Sequence, residues 1–422
     1  MLDIKRIRED TVAVEKGLKA RGVPPEKLHT FLELDLRWRD HVKNVDDARA
    51  QLNKLSQKIG RGGSDELKKE AKLAKERMKS LEDEMRSVEA ERDELLLRLP
   101  NIPFPDVPIG KDETGNKALR EVGKRPQFKS QPKDYLTLGK ELDLIDVERA
   151  GKVAGSRFGY LKNEAALLEF ALIQFAFNTL RKEGFIPIVP PVMVKPEMME
   201  GMGKIKFIED DDAFFLEKDN IYLAGSAEHT IGPMHADEVF DEKDLPRRYV
   251  GFSTCFRREA GSYGKDTKGI LRVHQFDKVE MFSFTTPEKS EEEHRFLVSL
   301  QEKMMQKLKL PYRVVEICTG DMGFGDARQF DIETWIPSEN RYRETQSASN
   351  TTDYQARGLN IKYKSSVVGR QSSVNYVHML NATAFAIGRT LIAIIENYQR
   401  ADGTIALPAV LRKYCGMKKI SR

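Results

Sequence analysis

Residues 256–280 read FRREAGSYGKDTKGILRVHQFDKVE, where two runs of charged and apolar residues flank a loop that contains glycine. The pattern predicts two β-strands joined by a flexible loop. Such a pair brings Arg257 and Arg272 close to an aromatic ring and to the carboxylates of Glu259 and Glu280. Because a guanidinium is a planar cation that matches phosphate, the arrangement suits a nucleotide and the anionic transition states of its reactions. A surface strand can carry the same residues, so the stretch alone leaves both interpretations open.

The flanking sequence supplies two further motifs. Residues 256–280 resemble motif 2 of the class II aminoacyl-tRNA synthetases, which reads f-R-x-E, loop, R-x-x-x-F. Upstream, residues 184–193 (GFIPIVPPVM) are similar to motif 1, whose proline matches Pro191 and which forms the dimer interface in that family. Downstream, residues 381–389 (NATAFAIGR) resemble motif 3, a strand and a helix that carry the motif arginine, Arg389. The resemblance implies an α+β fold with an antiparallel β-sheet core flanked by helices, and a homodimer.

Motif 3 departs from the common family form at three positions. Ala382, Ala384 and Ala386 stand where glycines are often found. Side chains at these positions must be small enough for a nucleotide to approach the strand, and alanine partly meets that need.

Shorter runs narrow the resemblance to the seryl-tRNA synthetases of bacterial type, and the similarity covers essentially the whole chain. They are residues 264–269 (GKDTKG), 272–276 (RVHQF), 318–323 (CTGDMG), 349–357 (SNTTDYQAR) and 396–399 (ENYQ). The resemblance implies a ligase that activates L-serine with ATP to seryl-adenylate and pyrophosphate. It then transfers serine to the 3′-OH of the terminal adenosine of tRNA(Ser), with tRNA(Sec) as a further acceptor left open.

The resemblance also implies an ATP site and a Mg²⁺ ion. Arg257 is expected at the α-phosphate, Arg272 and Arg389 at the far phosphates, and Glu344 with Ser347 at the magnesium. The residues expected to act in catalysis are Arg257, Glu344 and Arg389. The full set expected to bind ATP is Arg257, Arg258, Glu259, Arg272, Val273, Phe276, Glu344, Thr345, Gln346, Ser347 and Arg389.

Serine recognition requires an anion for the ammonium group and polar groups for the hydroxyl, because a site built to hydrogen-bond a hydroxyl rejects analogues that lack it. The family pattern T-x-E reads here Ser226-Ala227-Glu228, so the hydroxyl survives but the methyl group that restrains its rotamer is lost. The positions that the resemblance assigns to serine binding are Ser226, Ala227, Glu228, Arg257, Glu280 and Thr383.

Residues 28–99 carry a different periodicity. Apolar residues recur every seventh position from Phe31 to Ile59 and again from Leu67 to Leu95, with Arg92 the polar interruption. This spacing predicts two coiled-coil helices, and the glycine-rich stretch 60–66 between them predicts a turn. The helices would fold back as an antiparallel hairpin, each roughly 45 Å long. A dimerising coiled coil or a helical bundle would show the same periodicity.

Charge is unevenly distributed along this predicted arm. The tip, residues 49–79, holds ten basic and four acidic residues, or +6, whereas the stem, residues 30–48 and 80–99, holds six basic and twelve acidic ones. A basic tip on an acidic stem indicates a polyanion partner, although chance clustering on a surface would look alike. The residues expected to contact tRNA are Arg49, Lys54, Lys58, Arg61, Lys68, Lys69, Lys72 and Lys75.

Residues 99–108 (LPNIPFPDVP) cannot continue a helix, because proline lacks the amide donor and restricts its predecessor. We therefore divide the chain into a tRNA-binding helical domain, residues 1–108, and a catalytic domain, residues 109–422. Without regular βαβ alternation, the second part predicts a mostly antiparallel sheet with packed helices. Helical patterns span about 164–183 and 287–308, and β-rich runs lie at 186–189, 249–253, 278–285, 312–317 and 329–335.

Composition sets only broad limits. The 422 residues carry a net charge of +4, which by itself does not mark a nucleic-acid binder. Cys255, Cys318 and Cys415 are far apart and show no metal-ligand spacing, so neither a disulfide framework nor a zinc site is expected. The sequence shows no signal-peptide pattern and no apolar run long enough for a bilayer. We expect a cytoplasmic protein without membrane contact.

Two rival functions share the same motifs. Proteins similar to seryl-tRNA synthetases can load amino acids onto carrier proteins, but those usually lack a long arm. A non-enzymatic paralogue would retain RNA binding alone. The presence of all the catalytic motif residues argues against this interpretation. His274 and His378 look like candidate bases, but the proposed reaction needs none, and we interpret both as structural.

Overall fold

The computed structural model describes residues 1–261, 268–365 and 373–422. Residues 264–267, part of the run GKDTKG quoted above, lie outside the described residues. The chain forms two compact units, Leu2–Pro100 and Asn101–Arg422, with Met1 counted in the second. The division between these units falls after Pro100, a few residues before the predicted boundary at residue 108. That boundary stays a prediction.

The N-terminal unit is helical. Its elements are α1 (Ile4–Glu9), α2 (Thr11–Ala20), α3 (Pro25–Gly60) and α4 (Asp65–Leu97). Cross-helix ion pairs join Arg49 to Glu82 and Arg92 to Asp35, so α3 and α4 run antiparallel. The predicted hairpin is confirmed, and α3 alone is 36 residues long.

The turn between α3 and α4 has the predicted chemistry. Gly62 adopts φ +112°, a conformation that side chains disfavour. The Ser64 hydroxyl then accepts a hydrogen bond from the backbone N–H of Leu67 at 3.4 Å and caps α4. Nearer the other end of the hairpin, heptad residues such as Phe31 and Val88 are buried.

Arg92 interrupts the apolar heptads, yet it is only 5% exposed. Its guanidinium lies 4.2 Å from the centroid of the Trp38 ring, and Nη1 lies 3.9 Å from Oδ1 of Asp35. Asp35, itself buried, also accepts two hydrogen bonds from Arg8, at 2.8 and 2.6 Å, in addition to its ion pair with Arg92. A buried charge is stable only with such partners, and polar groups within a heptad seam favour one helix register over others.

The second unit is mixed α and β. Its described helices are α5 (Tyr135–Glu141), α6 (Val147–Ala154), α7 (Asn163–Leu180), α8 (Pro196–Gly201), α9 (Ile205–Glu209), α10 (Glu228–Ile231), α11 (Ser290–Leu308), α12 (Tyr354–Leu359), α13 (Ile387–Asn397) and α14 (Arg412–Cys415). Its described strands are β1 (Lys117–Val122), β2 (Ile145–Asp146), β3 (Tyr160–Leu161), β4 (Ile186–Ile188), β5 (Met193–Val194), β6 (Phe215–Leu216), β7 (Ile221–Leu223), β8 (Val239–Asp241), β9 (Arg247–Phe256), β10 (Gln275–Thr285), β11 (Tyr312–Glu316), β12 (Arg328–Ile336), β13 (Arg341–Asn350), β14 (Lys362–Lys364), β15 (Val374–Tyr376), β16 (His378–Ala386), β17 (Ile405–Ala406) and β18 (Lys419–Ile420).

Eight strands form the main sheet, in the order β1-β11-β12-β13-β16-β10-β9-β4. Its neighbouring strands pair antiparallel except β4 and β9, which are parallel. The predicted antiparallel core with packed helices is therefore confirmed. None of the helices in the described ranges is both long and apolar enough to cross a bilayer.

Side chains along β10 alternate between the hydrophobic core and the candidate site. Val279 and Met281 are fully buried in the hydrophobic core that includes residues of α7, α11 and α13. Lys278 and Glu280, on the other face of the strand, line a cavity. The sheet thus holds charged side chains in place with a packed core behind them.

Candidate active site

A cavity of about 470 Å³ opens over the main sheet, a size typical of small-molecule sites. Most of the predicted site residues line it together. They are Glu228, Arg257, Glu259, Arg272, Val273, Phe276, Glu280, Glu344, Thr345, Ser347, Thr383 and Arg389. Side chains far apart in sequence therefore converge from β10, β13 and β16, from α10 and the start of α13, and from the segment between β9 and β10.

Arg257 follows the last residue of β9 and is fixed from two sides. Its Nε donates to the carbonyl of Gly225 at 3.0 Å, and its guanidinium lies 5.4 Å from the centroid of the Phe276 ring. The planar cation is thus oriented before any ligand binds, which reduces the entropic cost of holding a phosphate.

Arg272 and Glu259 form an ion pair, with 3.1 Å between Nη1 and Oε2. Glu259 adopts φ +55°, an uncommon conformation for a residue other than glycine. Such backbone strain is found at functional sites, where surrounding contacts hold it. Arg272 and Glu259, the two motif 2 residues, are therefore held together by an ion pair beside the loop.

Arg389 lies in the first turn of α13 and pairs with Glu344 of β13. Its Nη1 lies 3.1 Å from Oε1 of Glu344 and donates to the Glu344 carbonyl at 3.1 Å. The positive charge of Arg389 lowers the pKa of Glu344. Burial opposes this effect, and the charge of Arg257 adds to it. Glu344 is therefore an anion held between cations.

Oxygen donors gather around Glu344. Ser347 lies on the same strand and lines the cavity, and Asp331 pairs with Ser347 across β12 and β13. Burial, followed by the charge of Glu344, raises the pKa of Asp331 well above its usual range. Carboxylate and hydroxyl oxygens suit Mg²⁺, which needs few protein ligands when phosphates supply the rest. Among the described residues no group of three or more His, Cys, Asp or Glu side chains could hold a metal ion, so Mg²⁺ at Glu344 and Ser347 stays a prediction.

Glu280 is almost fully buried and receives several donors at one oxygen. Lys278 Nζ lies 2.7 Å from Oε2, and the hydroxyls of Ser226 and Thr383 donate to the same atom at 3.5 and 3.4 Å. Burial raises the pKa of Glu280, and the charge of Lys278 opposes that rise. The group is thus a charged acceptor in a poorly solvated position, suited to a hydroxyl group.

Glu228 is the second buried carboxylate. Lys204 Nζ forms an ion pair with its Oε1, and His229 Nε2 lies 3.5 Å from the same oxygen. Burial disfavours the charge of Glu228, but Lys204 and His229 outweigh it and hold its pKa well below the usual range.

His229 is held in one tautomer. Burial lowers its pKa to about 4, so the ring is neutral at pH 7. Because Nδ1 accepts the backbone N–H of Gly225 at 3.2 Å, the proton resides on Nε2 and points towards Glu228. His229 therefore orients the carboxylate.

Some predicted residues face away from the cavity. The Arg258 side chain donates to the Ala213 carbonyl at 3.0 Å and stacks on Phe214 at 4.6 Å. Gln346 donates to the Ala384 carbonyl and is buried. Ala227, also buried, does not line the cavity either. Their expected ligand contacts stay predictions.

The histidines interpreted as structural have contacts that fit that role. His274 Nδ1 lies 3.0 Å from the Arg257 carbonyl, and its ring packs against Phe158 and Phe214. Burial lowers the pKa of His378, and this residue does not line the cavity.

Among the cavity residues that were not predicted from the sequence are Lys204, His229, Lys278 and Asn381. Lys278 and Asn381 each stand two residues before a predicted site residue on a strand, so the period of two could have identified them. Lys204 reaches Glu228 from a different segment, and no local pattern signals that contact.

Two family models match the chain. The seryl-tRNA synthetase N-terminal domain matches residues 1–103, and the tRNA synthetase class II core domain (G, H, P, S and T) matches residues 213–398. The serine–tRNA ligase of Dictyoglomus turgidum is 45% identical over 425 residues, covering 100% of this chain and 99% of that protein.

Solved structures agree. The seryl-tRNA synthetase from Pyrococcus horikoshii, crystallised with ATP, superposes with a TM-score of 0.92 at 42% identity and covers 100% of this chain and 99% of that one. A cytoplasmic serine–tRNA ligase from Naegleria fowleri in complex with AMP gives 0.88 at 33% identity, with coverage of 100% and 99%. With these similarities over the full length, the chain belongs to the seryl-tRNA synthetase family of class II ligases.

Proposed function

We propose that the chain activates L-serine with ATP and transfers it to the 3′-OH of the terminal adenosine of tRNA(Ser). The observation that carries the proposal is the convergence of three arginines and two buried carboxylates, Glu228 and Glu280, in one cavity. The arginines suit the phosphates, and the carboxylates suit the ammonium and hydroxyl groups of serine. Charging of tRNA(Sec) stays a prediction.

In this proposal Arg257 binds the α-phosphate, and Arg272 and Arg389 bind the far phosphates. Phe276 and Arg389 cover the two faces of the adenine. Glu259 faces the adenine amino group, and Val273, Thr345 and backbone atoms of Arg258 and Gln346 complete the ATP site. The P. horikoshii enzyme was crystallised with ATP, which supports ATP as a substrate of this chain.

Mg²⁺ would be held by Glu344 and Ser347, with ATP phosphates as further ligands. When bound, the ion neutralises phosphate charge. The chain's own residues position these oxygens, and the charge of Arg389 balances that of Glu344.

Serine binds, in our proposal, with its ammonium group on Glu228 and its hydroxyl on Glu280 and Thr383. Ser226 links the Glu280 carboxylate to the backbone of Glu228, because its hydroxyl donates to Glu280 at 3.5 Å and accepts from the backbone N–H of Glu228 at 3.4 Å. Serine in place of the family's threonine thus keeps the hydrogen bonds but leaves the rotamer less restrained. Ala227 would contribute through its backbone.

The reaction requires no nucleophile from the protein. The serine carboxylate attacks the α-phosphorus in line and pyrophosphate leaves. The tRNA 3′-OH then attacks the carbonyl of the adenylate, the carbonyl–phosphate oxygen bond breaks, AMP leaves, and the hydroxyl proton is released to the AMP phosphate or to water. Catalysis on this account is positioning and charge stabilisation by Arg257, Arg389 and Glu344.

We also propose that the hairpin tip binds tRNA. The predicted contact residues are all exposed, and Lys54, Lys58, Lys69, Lys72 and Lys75 show no carboxylate within 4 Å among the ion pairs of the described residues. These cations are therefore available for phosphates, with a salt-dependent contribution from each contact.

A homodimer through the motif 1 region is a further part of the proposal. Leu167 and Phe170 on α7 are 51% and 67% exposed, and Val189 is 81% exposed beside the exposed Pro191. Exposed large apolar side chains of this kind are typical of a protein interface. A cytoplasmic location fits Cys255, Cys318 and Cys415, which form no disulfide in the structure.

ATP–pyrophosphate exchange across the twenty amino acids tests the activation step. We expect exchange with serine, followed by charging of tRNA(Ser) when the tRNA is added. Exchange with serine but no charging of tRNA would instead favour a carrier-protein ligase. An absence of exchange with every amino acid would overturn the enzyme proposal.

Lys278→Met should raise the KM for serine about tenfold, because a hydrogen bond to a charged group is worth about 1.5–3 kcal/mol. Without Lys278, the main charge that opposes burial is lost, so the pKa of Glu280 should rise further. Affinity for serine should then recover as pH rises and Glu280 ionises. The measurement is serine-dependent exchange between pH 6 and 9.

Lys278→Arg is the matched control, since it keeps the cation and should keep the parental pH profile. The KM for ATP should stay unchanged in both variants. An unaltered serine KM in Lys278→Met would show that Lys278 does not support hydroxyl recognition.

A further inference from the structure

Glu228 already has a cation as its partner within the chain. Lys204 Nζ forms an ion pair with Glu228 Oε1, where the proposed function puts the ammonium group of serine. We propose that Lys204 competes with the substrate for Glu228, so that serine binds by displacing the lysine side chain. This inference rests on the proposed function and adds a residue that sets the affinity for the amino acid.

The two competitors are chemically alike. A lysine side chain and an amino-acid α-amino group are both primary ammonium ions with three donors. Glu228 has a side chain only 9% exposed, and His229 Nε2 lies 3.5 Å from the same oxygen that Lys204 contacts. Because two ammonium ions repel each other in so enclosed a place, simultaneous binding at Glu228 is unfavourable.

Lys204 can leave without any change in the fold. Its backbone N–H donates to the Met199 carbonyl at 3.0 Å, and its carbonyl accepts from Ile208 at 3.1 Å. The neighbouring Gly203 packs so closely on the Tyr354 ring that a Cβ there would lie 2.6 Å from it. The backbone is thus fixed, whereas the side chain, 25% exposed, can rotate its ammonium group into water.

A different role for Lys204 predicts the opposite change in the KM for serine. If Lys204 served only to position Glu228 for the substrate, its removal would weaken serine binding. If it competes, its removal raises the fraction of molecules that are ready to bind, and the apparent affinity rises in proportion. The direction of the change in KM therefore separates the two roles.

The test is Lys204→Met in serine-dependent ATP–pyrophosphate exchange. We expect the KM for serine to fall about fivefold, which corresponds to a binding-competent fraction of about one fifth in the parent. The KM for ATP should stay unchanged, which also shows that the variant is folded. Lys243→Met is the matched control: Lys243 is exposed, pairs with Asp241 at 3.7 Å, and does not line the cavity. It should leave the serine KM as it is.

Glu228→Gln separates failure of this inference from failure of the proposed function. A raised serine KM in Glu228→Gln supports the ammonium site, and Lys204→Met added to it should then give no further decrease. If Glu228→Gln leaves the serine KM unchanged, the proposed ammonium site is wrong. If Glu228→Gln raises the serine KM but Lys204→Met does not lower it, the competition by Lys204 is overturned while the proposed site stands.

Discussion

Arg389→Ala is expected to reduce kcat/KM for ATP in serine-dependent exchange by about 10²- to 10³-fold, as removal of one preorganised charge-stabilising group typically does. Arg389 is the cation that pairs with Glu344, with 3.1 Å between Nη1 and Oε1. Its loss removes positive charge from the proposed phosphate site and leaves Glu344 to repel the phosphates. Both effects act in the same direction, which is why this variant should be severe.

Arg389→Lys is the matched variant, because it keeps the charge but loses the planar fork that binds two phosphate oxygens. We expect its activity to lie between those of the parent and the alanine variant. The KM for serine should change little in either, since Arg389 has no contact with Glu228 or Glu280. Exchange within about threefold of the parent in Arg389→Ala would remove Arg389 from the proposed mechanism.

The sequence predicted elements best where one physical pattern dominated. Heptads and the glycine turn gave the α3–α4 hairpin, and apolar alternation gave β9, β10 and β12 within a few residues. β13 was not predicted as a strand, because its sequence RYRETQSASN is mostly polar. It forms a strand because β12 and β16 pair with it on both sides, a tertiary effect that outweighs local preference.

The same contrast holds for the site. Arg257, Glu280 and Arg389 could be predicted because motif spacing and family resemblance point to them directly. The ion pair between Lys204 and Glu228 could not, because it joins segments that only the folded chain brings together. Arg92 is an intermediate case. The heptad pattern marked its position as unusual, but its partners Asp35 and Trp38 are defined only by the packing of α3 on α4.

Deleting residues 2–100 should leave serine-dependent exchange largely intact and abolish tRNA charging. The cut belongs before Asn101, although the predicted domain boundary was residue 108. Asn101 Nδ2 donates to the carbonyls of Thr351 and Gly325 at 2.8 and 3.0 Å, and Gly325 lines the cavity. Val107 is buried with Ile317 and Met322. A cut at residue 108 would therefore disturb the catalytic unit as well.

A charge reversal at the tip tests the tRNA contact without removing the hairpin. Replacement of Lys68, Lys69, Lys72 and Lys75 by glutamate changes the tip from +6 to −2, since each substitution alters the charge by two. These lysines are exposed on α4, so the coiled-coil seam is untouched. We expect kcat/KM for charging of tRNA to fall by about 10²-fold or more, because each lost phosphate contact also removes a counterion-release contribution.

Replacement of the same four lysines by arginine keeps the charge and should keep charging close to the parent. Exchange with serine, which needs no tRNA, should be equal in the glutamate and arginine variants. The salt dependence of charging adds a readout that misfolding would not produce, since its slope reflects the number of phosphates contacted. Normal charging by the glutamate variant would mean that tRNA is bound elsewhere, and the uneven charge of the hairpin would then be a surface feature without a nucleic-acid partner.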